Sequence, residues 1–139
     1  MKTIQISLML IVTLTILSCN KKSDLLSGKW VRQDRSLEGM VVNVVKVNNT
    51  TFYGKIVNTN YSYNFSKGET KWNNIKQLSE NQFEIDDLLK GGNPETQYRK
   101  SHLTIDVDTI TIEWLYRNQG DCVSCSKQKW VRLKEKESK

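Results

Sequence analysis

Apolar and polar residues alternate over short stretches through most of this chain. The clearest run is Thr109 to Arg117, where Ile110, Ile112, Trp114 and Tyr116 interleave with Thr109, Thr111, Glu113 and Arg117. That period of two predicts a strand with one face in a core. The same reading predicts strands at Ser27–Arg32, at Gly39–Val47, where valines fall on both parities, and at Thr51–Val57. Asn48-Asn49 turns the second into the third, and Gly54 marks a bulge or bend. Further strands are predicted at Thr70–Leu78, at Gln82–Asp86 with Phe83 and Ile85 on one face, and at Tyr98–Ile105. Ser79-Glu80-Asn81 turns between the first two of these. The last strand, Lys127–Leu133, forms a terminal hairpin with Thr109–Arg117 across Asn118-Gln119-Gly120-Asp121 and a pair of cysteines. Asn58–Gly68 carries neither period and reads as a long loop. Leu88-Leu89-Lys90-Gly91-Gly92-Asn93-Pro94, with the only proline, predicts a break in regular structure.

No segment holds a 3.6-residue period over the ten or so residues that a helix needs, so the chain reads as all-β with about eight short antiparallel strands. Strands in sequential order can remove their edges by closing into an up-and-down barrel, whose interior admits side chains or one small ligand. A sandwich or a half-open meander is the competing arrangement.

The amino terminus has a different pattern. Lys2 precedes Leu8–Leu17, an apolar run broken only by Thr13 and Thr15, which has the length of a secretory signal and is too short to span a bilayer. It ends in Ile16-Leu17-Ser18-Cys19. This tetrapeptide resembles the lipobox of bacterial lipoproteins, and the resemblance implies diacylglyceryl transfer to the Cys19 sulfur, cleavage before it and acylation of palmitate type. Residues 1–18 would then be a signal peptide, 19–26 a lipidated tether, 27–133 the domain and 134–139 a charged tail. The two or three chains of such an anchor, at about 0.8 kcal/mol per buried CH2, attach it to the membrane for good. An incidental cysteine after an ordinary signal peptide, or an uncleaved anchor helix, are the alternatives. No acidic run follows Cys19, so the expected location is the bacterial cell envelope, on the outer membrane facing the periplasm.

Removing residues 1–18 from 139 leaves 121, enough for one domain with a modest core. The segment removed carries one lysine and no acid, which leaves 20 basic against 15 acidic residues, or +5. These charges are interspersed, and the tail Lys134-Glu135-Lys136-Glu137-Ser138-Lys139 alternates in sign. There is no clustered basic footprint for nucleic acid.

The Gly28-Lys29-Trp30 triplet in the first strand and Arg132 in Lys129-Trp130-Val131-Arg132 of the last resemble the lipocalin-like barrels. That family places Gly-x-Trp in its first strand and a basic residue of its last strand over the tryptophan. The resemblance implies barrel closure by Trp30 and Arg132, with about 0.5 to 2 kcal/mol from the cation on the ring. Tyr53-Gly54-Lys55-Ile56-Val57 is similar to the third strand of small uncharacterised exported bacterial domains. A lipocalin-like interior implies a ligand pocket, for which Val44, Tyr53, Trp114 and Tyr116 are the candidate lining residues.

Catalytic chemistry finds little support. His102 is the only histidine and has no second ligand or base pattern near it. Asp86-Asp87 and Asp106-x-Asp108 lie beside predicted strand ends, where acids favour turns. Calcium ligand spacing and a phosphate-binding loop are both missing. Cys122 and Cys125 are expected to pair, since exported proteins live where disulfides persist, and so tight a loop contributes only about 2 kcal/mol. Half a zinc site and a redox pair are the alternatives, although a redox pair belongs at a helix start. The expectation is a non-enzymatic module without cofactor or metal, binding a small apolar or amphipathic ligand. The alternative is an envelope protein-docking module, or an inhibitor of a cell-wall hydrolase, acting through a rim loop at Asn58–Gly68.

Overall fold

The computed structural model describes residues 24–34, 37–59, 64–90, 97–116 and 127–134. Eight strands run in order: β1 (Gly28–Arg32), β2 (Val41–Lys46), β3 (Phe52–Asn58), β4 (Thr70–Gln77), β5 (Gln82–Leu89), β6 (Gln97–Asp106), β7 (Thr109–Trp114) and β8 (Lys127–Arg132). Each pairs antiparallel with the next, and β8 returns to β1 through Trp30 opposite Arg132 and Val31 opposite Val131. The sheet is therefore a closed up-and-down barrel, and the chain is all-β in its described residues.

Alternation sets the inside. Phe52, Gly54 and Ile56 of β3, Phe83 and Ile85 of β5, Leu103 and Ile105 of β6, and Ile110 and Ile112 of β7 are buried, while their neighbours face outward. Trp30, Trp72 and Trp130 are fully buried and fill the centre, with Trp72 edge-on to Trp130 at 4.9 Å. Aromatic contacts of this kind favour an edge-to-face arrangement. Register shifts in β2 at Val41/Val42, between Gly54 and Lys55 of β3, and in β4 between Asn73 and Lys76 bend the sheet. Extra residues on one strand are a usual means of closing a barrel.

The topology gives the barrel two unlike ends. At the turn end lie the short connections 47–51, 78–81 and 107–108, the incoming segment Asp24–Ser27 and the exit at Leu133. Asn48 shapes the first of these turns, its side-chain oxygen accepting from the backbone N–H of Thr50 at 3.0 Å and Thr51 at 2.9 Å. The longer connections 33–40, 59–69, 90–96 and 115–126 lie at the other, loop end.

Several boundaries differ from the sequence reading, among them β7, which ends at Trp114 rather than Arg117, and two others bear on the interior. β5 runs on to Leu89, and Leu88 is buried, because pairing with Gln97–Tyr98 of β6 holds the strand together up to the glycine pair. The tether also ends earlier than residue 26. Leu26 is fully buried, and Asp24 accepts from the Ser27 backbone N–H at 3.0 Å and its hydroxyl at 2.6 Å, so Asp24–Leu26 belong to the fold. The segment 1–18, Cys19, Cys122, Cys125 and the tail beyond Lys134 lie outside the described residues, as do positions 60–63 of the 58–68 loop.

Candidate functional site

Beside β1 and β8 the turn end is plugged from within. Arg132 lies over the Trp30 ring at 4.2 Å, and its guanidinium donates to the Ser27 carbonyl at 2.8 Å. The Trp30 indole donates to the Leu26 carbonyl at 2.8 Å. Cation, ring and incoming backbone thus form one plug with Leu26 beneath it. Gly28 has a physical reason in this motif: its φ is +119°, and a Cβ there would sit 3.1 Å from the Arg132 Nη1. Only glycine takes that backbone conformation without strain.

Toward the loop end the interior becomes polar. Lys71 and Asp87 are both fully buried and form an ion pair. Lys71 also donates to the Leu88 carbonyl at 2.6 Å, while the other Asp87 oxygen accepts from Gln128 at 2.6 Å. The Gln128 oxygen in turn accepts from the Trp130 indole at 3.1 Å. Arg32, almost fully buried, pairs with Asp34 at 2.7 Å and lies 5.6 Å from the Trp130 ring. Burial pushes Lys71 below the ordinary lysine range; Asp87 opposes this, and the Arg32 charge adds to it. Phe65 packs over the Lys71 ammonium at 5.6 Å. Lys90, paired with Glu69, faces the same ring, so the described part of the 58–68 loop folds down onto the barrel.

Asp87 is a correction. It is not a turn acid but the centre of a buried network, because β5 continues past it and its parity with Phe83 and Ile85 points it inward. The same parity test finds Gln128 beside Trp130 and Arg32 beside Trp30. Lys71 carried no such signal, since the register shift opposite Gly54 and Lys55 turns it inward next to Trp72. His102 is exposed on β6, between Glu84 of β5 and Glu113 of β7. Asp106 ends β6 and Asp108 lies in the turn after it, bracketed by Arg132 at 3.3 Å and Lys134 at 3.0 Å.

The four positions expected to line a pocket do not come together. Val44 is buried in the core, and Trp114 lies half-buried on the inward parity of β7 with Arg99 stacked on its ring at 4.4 Å. Tyr53 faces outward on β3 beneath the Lys55 ammonium, and Tyr116 is 76% exposed beyond β7. Tyr53 falls on the outward parity of β3, whereas Tyr116 shares the parity of Trp114 but lies past the end of β7. Trp30, Trp72 and Trp130 are fully buried among the inward-facing side chains. Among the described residues the buried indole N–H groups of Trp72 and Trp114 have no acceptor, a cost of about 1 to 3 kcal/mol each.

An open groove of about 810 Å³ lies instead at the turn end, lined by Asp24, Leu25, Lys46, Asn49, Thr50, Phe52, Ile75, Lys76, Gln77 and Phe83. Phe52, Ile75 and Phe83 give it an apolar floor, and Phe52 meets Phe83 edge-on at 6.4 Å. Lys46 lies 5.5 Å from the Phe52 ring. Apolar walls with a few polar groups at the edge describe small-molecule sites in general.

A closed eight-stranded up-and-down barrel is an architecture suited to a lipocalin-like binding module. Compared with protein-family models, with curated proteins and with solved structures, the chain finds no match.

Proposed function

We propose that this chain is a non-catalytic binding module of the bacterial cell envelope, held by lipid on Cys19 at the outer membrane facing the periplasm, and that it takes a small apolar or amphipathic molecule. The observation that supports this reading is the groove at the turn end. Phe52, Ile75 and Phe83 offer apolar contact there, while the Lys46 and Lys76 side chains line the same groove and suit a polar or anionic head. Asp24, which forms part of its wall, follows Cys19 by five residues, a span of at most about 18 Å.

Native mass spectrometry of protein purified gently from its own envelope tests the reading, together with thermal shifts across a panel of lipids. A co-purifying amphiphile lost on Phe83→Asp supports it. No ligand and no stabilisation by any lipid would remove it. The second reading, docking on an envelope protein or inhibition of a cell-wall hydrolase through the 58–68 loop, draws on the three fully buried tryptophans, Trp30, Trp72 and Trp130, that pack the described interior. Binding to a muramidase lost on substitution in that loop would favour it.

A further inference from the structure

Of the large apolar side chains exposed among the described residues, Val45 lies on β2 and Tyr98 and Tyr116 lie toward the loop end, but the other four gather at the turn end. Val47 is 58% exposed, Leu78 47%, Val107 83% and Leu133 43%. Val47 is in the turn from β2 to β3, Leu78 in that from β4 to β5, and Val107 in that from β6 to β7, while Leu133 leaves β8 beside them. An up-and-down barrel places all four at one end. Hairpin turns favour Gly, Asn, Asp and Ser, each for a conformational reason, so an apolar side chain in every one of the three is not a requirement of the fold. At Val107 it opposes the fold, because the residue is β-branched and held at φ 53°, where such residues are strained.

We infer that the turn end is a membrane-docking face, with Val47, Leu78, Val107 and Leu133 seated in the interfacial layer of the bilayer that holds the anchor. Three observations single out a bilayer as the occupant. The incoming Asp24–Ser27 segment lies at this end, tied to Arg132 through the Ser27 carbonyl, and Asp24 follows Cys19 by five residues in the chain. The apolar residues stand on separate turns, which presents them as a ring of tips rather than as one flat patch. The apolar-floored groove opens among the same turns. Lys46 and Lys76 make no ion pair among the described residues, but Asp24, Glu80, Asp106 and Asp108 share this end, with Arg132 and Lys134 on Asp108. Positive charge does not dominate here. Apolar burial therefore drives the contact, and added salt weakens it little. The inference rests on the anchoring part of the proposed function and not on the groove holding a ligand.

Hydrogen exchange read by mass spectrometry tests it, using the exported protein bound to vesicles of phosphatidylethanolamine and phosphatidylglycerol. The comparison is the triple variant Val47→Asn, Leu78→Asn, Val107→Asn, whose exposed positions leave the core intact and whose folding a thermal melt verifies. Slower exchange at 47–51, 78–81 and 107–108 in the parent protein, lost in the variant and retained in high salt, is the expected result. Equal exchange in the two proteins, or protection confined to the loop end at 64–69, overturns it. Intact mass reports lipid on Cys19 separately. An unlipidated protein that still shows turn protection sinks the anchor and leaves the docking face standing, whereas a lipidated protein without it does the reverse.

Discussion

Removing the Asp87 charge while leaving Lys71 in place tests the buried network most directly. In Asp87→Asn the side chain keeps its shape and still accepts from Gln128, but the Lys71 ammonium, fully buried, loses its counter-ion. Breaking one partner of a buried pair costs about 3 to 5 kcal/mol, a large share of the about 5 to 15 kcal/mol that holds an ordinary domain together. Adding Lys71→Met removes the stranded charge, and the double variant should regain most of the loss, a coupling of at least about 2 kcal/mol. Urea unfolding at neutral pH measures all four corners of the cycle, with an unchanged m-value as the control.

The pH dependence has a definite sign. Burial lowers the folded-state pKa of Lys71 below 10.5, so between that lowered value and 10.5 the unfolded chain binds the extra proton and stability rises with pH. Without Asp87 to favour the proton, the folded value falls further and the window widens downward. The deficit of Asp87→Asn against the parent protein should therefore shrink as pH rises toward 10.5. A cost below about 1 kcal/mol, a deficit that does not change with pH, or a double variant no better than the single would refute the reading.

Gly28→Ala should lower the melting temperature, since it imposes strain of about 1 to 3 kcal/mol at φ +119° and presses on Arg132; an unchanged melt would dismiss the role given to this glycine. Gly54→Ala should cost a similar amount, about 1 to 3 kcal/mol, because its Cβ would stand 2.9 Å from Val42 and 3.0 Å from Trp72. Val107→Asn should raise stability by about 1 kcal/mol through relief of its left-handed backbone, readable by chemical denaturation, while weakening vesicle contact. Lys134 holds the Asp108 carboxyl below 3.8, helped by Arg132 against partial desolvation. The stability from this contact is present above 3.8 and lost as pH falls through the lowered value, so Lys134→Ala should move the Asp108 carbon chemical-shift titration upward.

The sequence by itself determined which residues form strands, because side-chain parity is local: Thr109–Arg117 announces its core face without knowledge of any partner. It also carried the closure motif, since Gly28, Trp30 and Arg132 sit on the two strands that must meet if the sheet closes. Only the tertiary structure decided what the interior holds. Trp114 and Tyr116 share a parity on paper, but β7 ends at Trp114, so one turns in and the other stands in solvent. Lys71 entered the core through a register shift opposite β3, and its need for a counter-ion is met by Asp87 of β5 and, through that acid, by Gln128 of β8, across the barrel. The groove and the four apolar tips are likewise properties of the closed ring. Residues 47, 78, 107 and 133 are separated by about 30 positions in the chain, and only the up-and-down winding of antiparallel strands brings them to one end.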